Sequence, residues 1–359
     1  MLPFGSWLWT NMTTSNPIIA VTGATGFVGA HVVRDALARG YRVRSVVRSE
    51  KKGDELLRSM PGPSHSLAFV SDIRNKDELK QAFKNVKIVQ HVASPYTMAF
   101  DDPVSEMLEP AIKGTMSVLE AANEENVEHV LITSSFAAIN CFEKGGSIRD
   151  YTYTEADWNP ATYDIARTSS KAYTYCASKA LAEKAAWEYV REAQPSFALT
   201  TFNPPGIVGP IAHPLERLED LNTSCANVWH LVSGSCDEVP PTFLPQTVDV
   251  RDVSKALVDA MSNPATRGER FALCGYYVDM QVVVDYLRKT FPERRDAIPA
   301  GNPGTRNQPG PIARLDASKA ERVLGITWTP WEKTYGDLVK QLLELEEKFK
   351  AERSKMPAL

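Results

Sequence analysis

Thr22-Gly23-Ala24-Thr25-Gly26-Phe27-Val28-Gly29 is the stretch that decides the fold. It follows an apolar run, Ile18–Thr22, and opens a helical pattern over 27–39. Three glycines at this spacing have separate uses. One permits a tight turn, one lets backbone approach a pyrophosphate, and one lets helix and strand pack closely. The start of the helix then offers N–H groups and the positive end of its dipole to phosphates. Gly23, Thr25, Gly26, Phe27 and Val28 are the candidate contacts. The alternative is a glycine-rich turn that binds nothing; the strand-turn-helix setting argues against it.

Working outward, apolar runs at Arg42–Val47, 67–71, 87–92, His129–Thr133 and Ala198–Asn203 alternate with helical patterns at 76–84, 103–124 and 168–193. Several runs lack period-two alternation, as strands buried on both faces do. The alternation predicts an α/β fold: a doubly wound Rossmann parallel sheet over 17–204. Beyond 204 the texture changes. Prolines 204, 205, 210, 214, 240, 241 and 245 mark loops, helical patterns follow at 252–262 and 279–291, and a charged helix closes the chain at 332–353. These features predict a smaller, mainly substrate-binding part over 205–359, with a segment near 246–256 returning to the sheet domain. Residues 1–16 read as an N-terminal extension.

The chain has 359 residues, 43% hydrophobic and 23% charged, enough for a sizeable core without disulfides or metals. Lys+Arg is 40 and Asp+Glu 44, so the net charge of −4 gives no electrostatic case for nucleic acid or an anionic membrane. Five scattered cysteines without a Cys-x-x-Cys read as reduced thiols of a cytoplasmic protein. Six histidines show no ligand spacing, so no metal is predicted. Residues 1–33 contain no Asp, Glu, Lys or Arg, yet polar residues and glycines break them up. They fit neither a membrane span nor a signal peptide.

Dinucleotide binders that use NAD place an acidic residue about 20 residues beyond the glycines, for the ribose 2′-hydroxyl. Here that position holds Arg48. An arginine suits a 2′-phosphate and Lys52 adds a second cation, which predicts NADP; Glu50 keeps NAD open. Asp72 and Ile73, after the third strand, are placed to meet an adenine. Capping the helix at 76 is the competing role for Asp72. His91-Val92-Ala93-Ser94 ends the fourth strand with small residues, against which a cofactor can lie.

Tyr175-Cys176-Ala177-Ser178-Lys179 lies in a helical pattern, so Tyr175 and Lys179 share a face. A phenol has a pKa near 10, too high to exchange protons readily at neutral pH. An ammonium within about 4–6 Å favours the phenolate and yields a general acid for a developing alkoxide. Thr133-Ser134-Ser135 ends the fifth strand at the carboxyl edge, where α/β sheets bind ligands. Ser135 is placed to hydrogen-bond a substrate oxygen; turn chemistry is its ordinary alternative.

Together these residues resemble the extended short-chain dehydrogenase/reductases. Within them the chain is most similar to the dihydroflavonol reductase-like branch, which includes plant dihydroflavonol and cinnamoyl-CoA reductases and fungal NADPH-dependent aldehyde and ketone reductases. The segments 21–29, 48–52, 93–95, 113–115, 133–135, 175–187, 203–210 and 248–253 carry the likeness, which spans about 17–350. The resemblance implies a triad. Tyr175 donates the proton, Lys179 holds the nicotinamide ribose and lowers the tyrosine pKa, and Ser135 orients the carbonyl. It implies Arg48 and Lys52 as 2′-phosphate cations and Ala93, Ser94, Pro95 and Thr115 as further cofactor contacts. Pro204 and Val208 match positions beside the nicotinamide carboxamide.

The stretch Ala172-Tyr173-Thr174-Tyr175-Cys176-Ala177-Ser178-Lys179 departs from the cinnamoyl-CoA reductase pattern outside Tyr-Cys and Lys, which puts thioester reduction in doubt. Asn140, five residues after Ser135, matches the Asn with which dihydroflavonol reductases read ring hydroxyls. Tyr96, Phe136, Asn140, Trp229 and Phe243 are candidate substrate contacts, with core packing the alternative for the aromatic ones. The aromatic segment 141–168 is a candidate pocket wall.

The expectation is an NADPH-dependent carbonyl reductase for a hydrophobic aldehyde or ketone, working as monomer or homodimer with no nucleic-acid or membrane partner. Two rivals differ in chemistry. A nucleotide-sugar epimerase or dehydratase would retain NAD, against Arg48. A non-catalytic NADP-sensing regulator has no need of Ser135, Tyr175 and Lys179 together.

Overall fold

At the centre of the fold β1 (Ile18–Thr22) lies between β2 (Arg42–Val47) and β4 (Val86–His91), parallel to both. β3 (His65–Phe69) extends the sheet beyond β2, and β5 (His129–Thr133) extends it beyond β4. The computed structural model describes residues 16–94 and 99–354. In it β7 (Ala198–Asn203) and β10 (Arg270–Ala272) complete a seven-stranded parallel sheet of order β10-β7-β5-β4-β1-β2-β3. Residues 1–15, Pro95 and Tyr96 lie outside the described residues.

The helices are α1 (Phe27–Ala38), α2 (Glu50–Ser59), α3 (Lys76–Phe83), α4 (Glu109–Glu124), α5 (Tyr163–Ala166), α6 (Lys171–Ala193), α7 (Thr223–Val232), α8 (Val250–Ser262), α9 (Met280–Thr290), α10 (Ser318–Leu324) and α11 (Trp331–Arg353). Strand alternation divides the core between the two faces of the sheet. Ile19 and Val21 pack with Val32, Val33, Val253 and Leu257 of α1 and α8. Ala20 and Val46 pack with Leu79, Phe83, Val118 and Leu119 of α3 and α4. Each Val, Leu or Phe buried this way contributes about 1.5–3 kcal/mol. The sheet is therefore doubly wound, as its continuous apolar strands predict.

Several elements differ from the sequence pattern, each for a local reason. The stretch 103–124 is not one α-helix. Val104–Leu108 forms a π-helical turn before α4, because Pro110 has no N–H to close onto Glu106. The helix of 168–193 begins only at Lys171, where Ser170 Oγ accepts from Tyr173 N–H at 3.3 Å. The sequence reading omitted α2, α7, α10 and β10. α2 is short, mostly charged and buries only Gly53 and Leu56, and β10 is three residues long.

After β7 the chain builds a second layer. β8 (Gly206–Val208), β9 (Gln246–Asp249) and β11 (Tyr276–Tyr277) form a small sheet, and β6 (Thr152–Tyr153) pairs with β12 (Arg314–Leu315). α7, α9 and α11 close on a third core containing Leu231, Val283, Leu287, Leu338 and Leu342. The five cysteines are free thiols, four of them buried. Among the described residues no helix is long and apolar enough to cross a membrane.

Candidate active site

The glycine turn locks three elements together. Gly23 has φ +70°, and a Cβ there would lie 2.8 Å from Ala93 N. A Cβ at Gly29 would lie 2.1 Å from Gly23 O. Strand β1, the exit of β4 and the first turn of α1 thus touch backbone to backbone. Gly26 N–H closes the turn onto Gly23 O at 2.9 Å. Helix α1 has no capping side chain and no acidic residue in its first turn. Nothing on the helix itself neutralises its positive end, which faces a cleft of about 1460 Å³ over the carboxyl ends of the strands.

At one end of this cleft stand Arg48, Asp72, Ile73 and Arg74. Arg74 grips the Asp72 carboxylate through Nη2 at 2.5 Å and Nε at 3.0 Å, and its N–H donates to Oδ1 at 2.8 Å. The Arg74 guanidinium holds the Asp72 carboxyl below its usual range. Asp72 does not cap α3; Asn75 does, accepting from Glu78 N–H at 3.2 Å. Arg74 is a second cation on this wall that the sequence reading passed over. A basic residue two places after Asp72 was the available signal.

At the other end α6 supplies Tyr175 and Lys179. Lys179 is buried, and its Nζ donates to Ser94 Oγ and lies 5.4 Å from the centre of the Tyr175 ring. Burial pushes its pKa down to about 8. His91 is buried on the same strand exit, its Nδ1 2.9 Å from Thr22 Oγ1, which accepts from Ala93 N–H at 3.2 Å. Burial, and then the Lys179 charge, push His91 down to about 4, so it is neutral at physiological pH. Ser135 lines the cleft at the end of β5, and its Oγ accepts from Ala137 N–H at 3.1 Å. Phe136 N–H donates to Pro204 O at 2.8 Å, joining the ends of β5 and β7.

Gly23, Thr25, Gly26, Phe27, Val28, Ala93, Ser94, Thr115 and Pro204 also line the cleft, as do Phe136, Asn140 and Phe243. Asn140 is buried; its Nδ2 donates to Ser147 Oγ at 3.4 Å and its Oδ1 has no partner. Phe142, Phe243 and Leu244 form an apolar rim, 42%, 64% and 47% exposed.

Three expected contacts are not on the cleft. Val208 turns into the third core, and its neighbour Ile207 lines the cleft instead. Trp229 packs against that same core, and it is the start of α7, Thr223 and Ser224, that reaches the cleft. Lys52 is exposed on α2, whose rotation is set by burying Gly53 and Leu56. Beside it Lys51 pairs with Glu216 at 2.5 Å.

Residues 20–267 match the model of the 3-beta hydroxysteroid dehydrogenase/isomerase family. The chain belongs to this family. Among its relatives in the dihydroflavonol reductase-like branch is the NADPH-dependent methylglyoxal reductase GRE2 of Saccharomyces cerevisiae. That enzyme is 35% identical over 91% of this chain and 98% of its own. The ketoreductase azaE of Aspergillus niger is 33% identical over 91% and 97%. The crystal structure of yeast methylglyoxal/isovaleraldehyde reductase Gre2 complexed with NADPH superposes with a TM-score of 0.82, at 33% identity and covering 92% and 99% of the two chains.

Proposed function

We propose that this family member is an NADPH-dependent carbonyl reductase that converts a hydrophobic aldehyde or ketone to an alcohol. The observation that carries the reading is one cleft holding the glycine turn, Arg48, Ser135, Tyr175 and Lys179 together. The relatives named as NADPH-dependent reductase and ketoreductase support it.

The residues present fit NADP. The backbone cradle at Gly23 and Gly29 has no room for side chains, the end of α1 is open to phosphate, and Arg48 gives positive charge suited to a 2′-phosphate. Residues 17–204 with the returning α8 and β10 build the cofactor half, and the remainder builds the substrate half. When bound, the reduced nicotinamide supplies the hydride.

The chain's own residues handle the proton. Tyr175 Oη gives its proton to the carbonyl oxygen as negative charge develops there. The Lys179 ammonium, close to the phenol ring, favours the phenolate left behind. Ser135 Oγ donates to the same oxygen and orients it. Phe142, Phe243 and Leu244 offer apolar contact to the substituent beyond the carbonyl.

The test is NADPH oxidation against aldehydes, diketones, aromatic ketones and a dihydroflavonol, with NADH in parallel. Turnover specific to NADPH is expected. Tyr175→Phe is expected to keep NADPH affinity and lose turnover by about 10²–10⁴-fold, the size of a general-acid contribution. Unchanged turnover in that variant refutes the mechanism.

A further inference from the structure

Behind Ser135 lies a carboxylate that this mechanism does not use. Glu183 is 2% exposed and stands about one helical turn after Lys179 on α6. Five donors converge on it. Ser134 Oγ at 2.6 Å and Asn203 Nδ2 at 2.7 Å reach Oε2. Thr201 Oγ1 at 2.8 Å, Arg270 Nε at 2.7 Å and Trp187 Nε1 at 3.3 Å reach Oε1. The donors come from the strand end after β5, from β7, from β10 and from α6 itself. The amide group of Asn203 also donates to Ser135 O at 3.1 Å.

A carboxylate has about four lone-pair sites, so these donors leave Glu183 no capacity to take a proton from substrate. Its counter-charge, Arg270, is 8% exposed, lies 3.6 Å over the Trp158 ring, and donates to Asp157 O at 2.9 Å and Glu155 O at 2.5 Å. One side chain thereby joins the helix of Tyr175 and Lys179 to both strand ends around Ser135. Through Arg270 it also reaches the segment 155–158. A buried ion pair adds little net stability over apolar groups of equal size. What it fixes is geometry, and a shift of about 1 Å at a reacting group loses about 10²-fold in rate.

We infer that Glu183 is a positioning residue for the reduction, setting the separation between Ser135 and the Tyr175–Lys179 pair. The inference rests on the catalytic reading above. In Glu183→Gln the new amide must turn its NH₂ toward one donor set. Arg270 can only donate, so the amide oxygen stays with it and the NH₂ meets Ser134 and Asn203. The Ser134 hydroxyl can rotate and accept. The Asn203 amide must flip its Oδ1 toward the new NH₂ or swing away, and either releases Ser135 O.

The experiment measures kcat, the KM for NADPH, NADPH affinity by fluorescence titration and Tm. Glu183→Gln is expected to lose at least about tenfold in kcat, with NADPH affinity within about threefold of wild type. Thr201→Val removes a donor from the same carboxylate without touching Ser134 or Asn203. It is expected to lower Tm while kcat stays within about threefold. Equal kcat losses in these two variants, or wild-type kcat in Glu183→Gln, overturn the inference. If Glu183→Gln does not fold, Asn203→Ala decides: a loss of about tenfold supports the inference and wild-type kcat overturns it. Tyr175→Phe run alongside separates the two levels. Full turnover in Glu183→Gln beside a silent Tyr175→Phe overturns this inference alone; full turnover in Tyr175→Phe removes the catalytic reading and this inference with it.

Discussion

The cleft has two kinds of wall. The glycine turn of residues 22–29 is built by backbone against backbone, with a Cβ at Gly29 denied by the carbonyl of Gly23 itself. The opposite wall, of Phe142, Asn140, Phe243 and Leu244, is built by side chains on loops, three of them substantially exposed. Gly23 and Gly29 in the first wall tolerate almost no substitution, because no side-chain rotation relieves a backbone clash. The second can be redrawn residue by residue without disturbing the sheet. A common cofactor grip and a variable substrate preference are therefore physically separable on this fold.

The sharpest way to break the comparison is Gly29→Ala. The added methyl must displace backbone, so a loss of about 3–5 kcal/mol is expected in chemical denaturation, together with loss of NADPH binding. A stable variant that binds NADPH would refute the rigid-wall account. Next in size is Arg48→Ala, expected to weaken NADPH binding about 10–100-fold, as for a charge-assisted phosphate contact, and to leave NADH nearly unchanged. Equal weakening of both cofactors in titrations would show that Arg48 does not read the 2′-phosphate.

A pH profile sharpens the comparison further. With the Lys179 pKa pushed down to about 8, kcat/KM for NADPH is expected to fall by up to about tenfold per unit as pH rises above that value. Destabilisation by Lys179 itself cannot mimic this fall. From pH 8 to the ordinary lysine value of 10.5 the unfolded chain binds more protons at this position than the folded chain, so the group's contribution to stability rises with pH. A flat profile in an enzyme with unchanged Tm would remove Lys179 from the chemistry. The smallest effect is expected at the rim. Phe243→Ala is predicted to raise KM for a bulky aldehyde about threefold, with Tm within about 1 °C of wild type, since it removes an exposed contact. A large fall in Tm would show Phe243 to be structural instead.

The two walls also differ in how far they were legible from sequence. Gly23, Gly26 and Gly29 were readable because their meaning is local, a strand, a turn and a helix within about 30 residues, and the same count led to Arg48, which lines the cleft. The six long strand patterns were readable because burial on both faces leaves an apolar run. Val208 and Trp229 were assigned to the cleft, but their direction is set by packing against α9 and α11, far along the chain. Arg74 was overlooked because its role depends on the turn that lets it grip Asp72. Glu183 lies within the segment 175–187 that carries the family likeness, yet its significance lies in partners on β7, on β10 and just after β5. Position in a helix says nothing of those.

The order in which the sheet is assembled has a consequence for the chain's synthesis. Strand β10 adds to β7, and Arg270 meets Glu183, 87 positions earlier in the chain. A nascent chain that has emerged only as far as β7 carries a parallel sheet with an open edge. Its α1 lacks the apolar cover of α8, and its Glu183 lacks a cation. The nucleotide-binding half, although first off the ribosome, waits for the later part of the chain before it can close. Distant pairings of this kind fold slowly and leave apolar surface open in the interval. The interval in which this half stands uncovered is therefore the synthesis of residues 204–272.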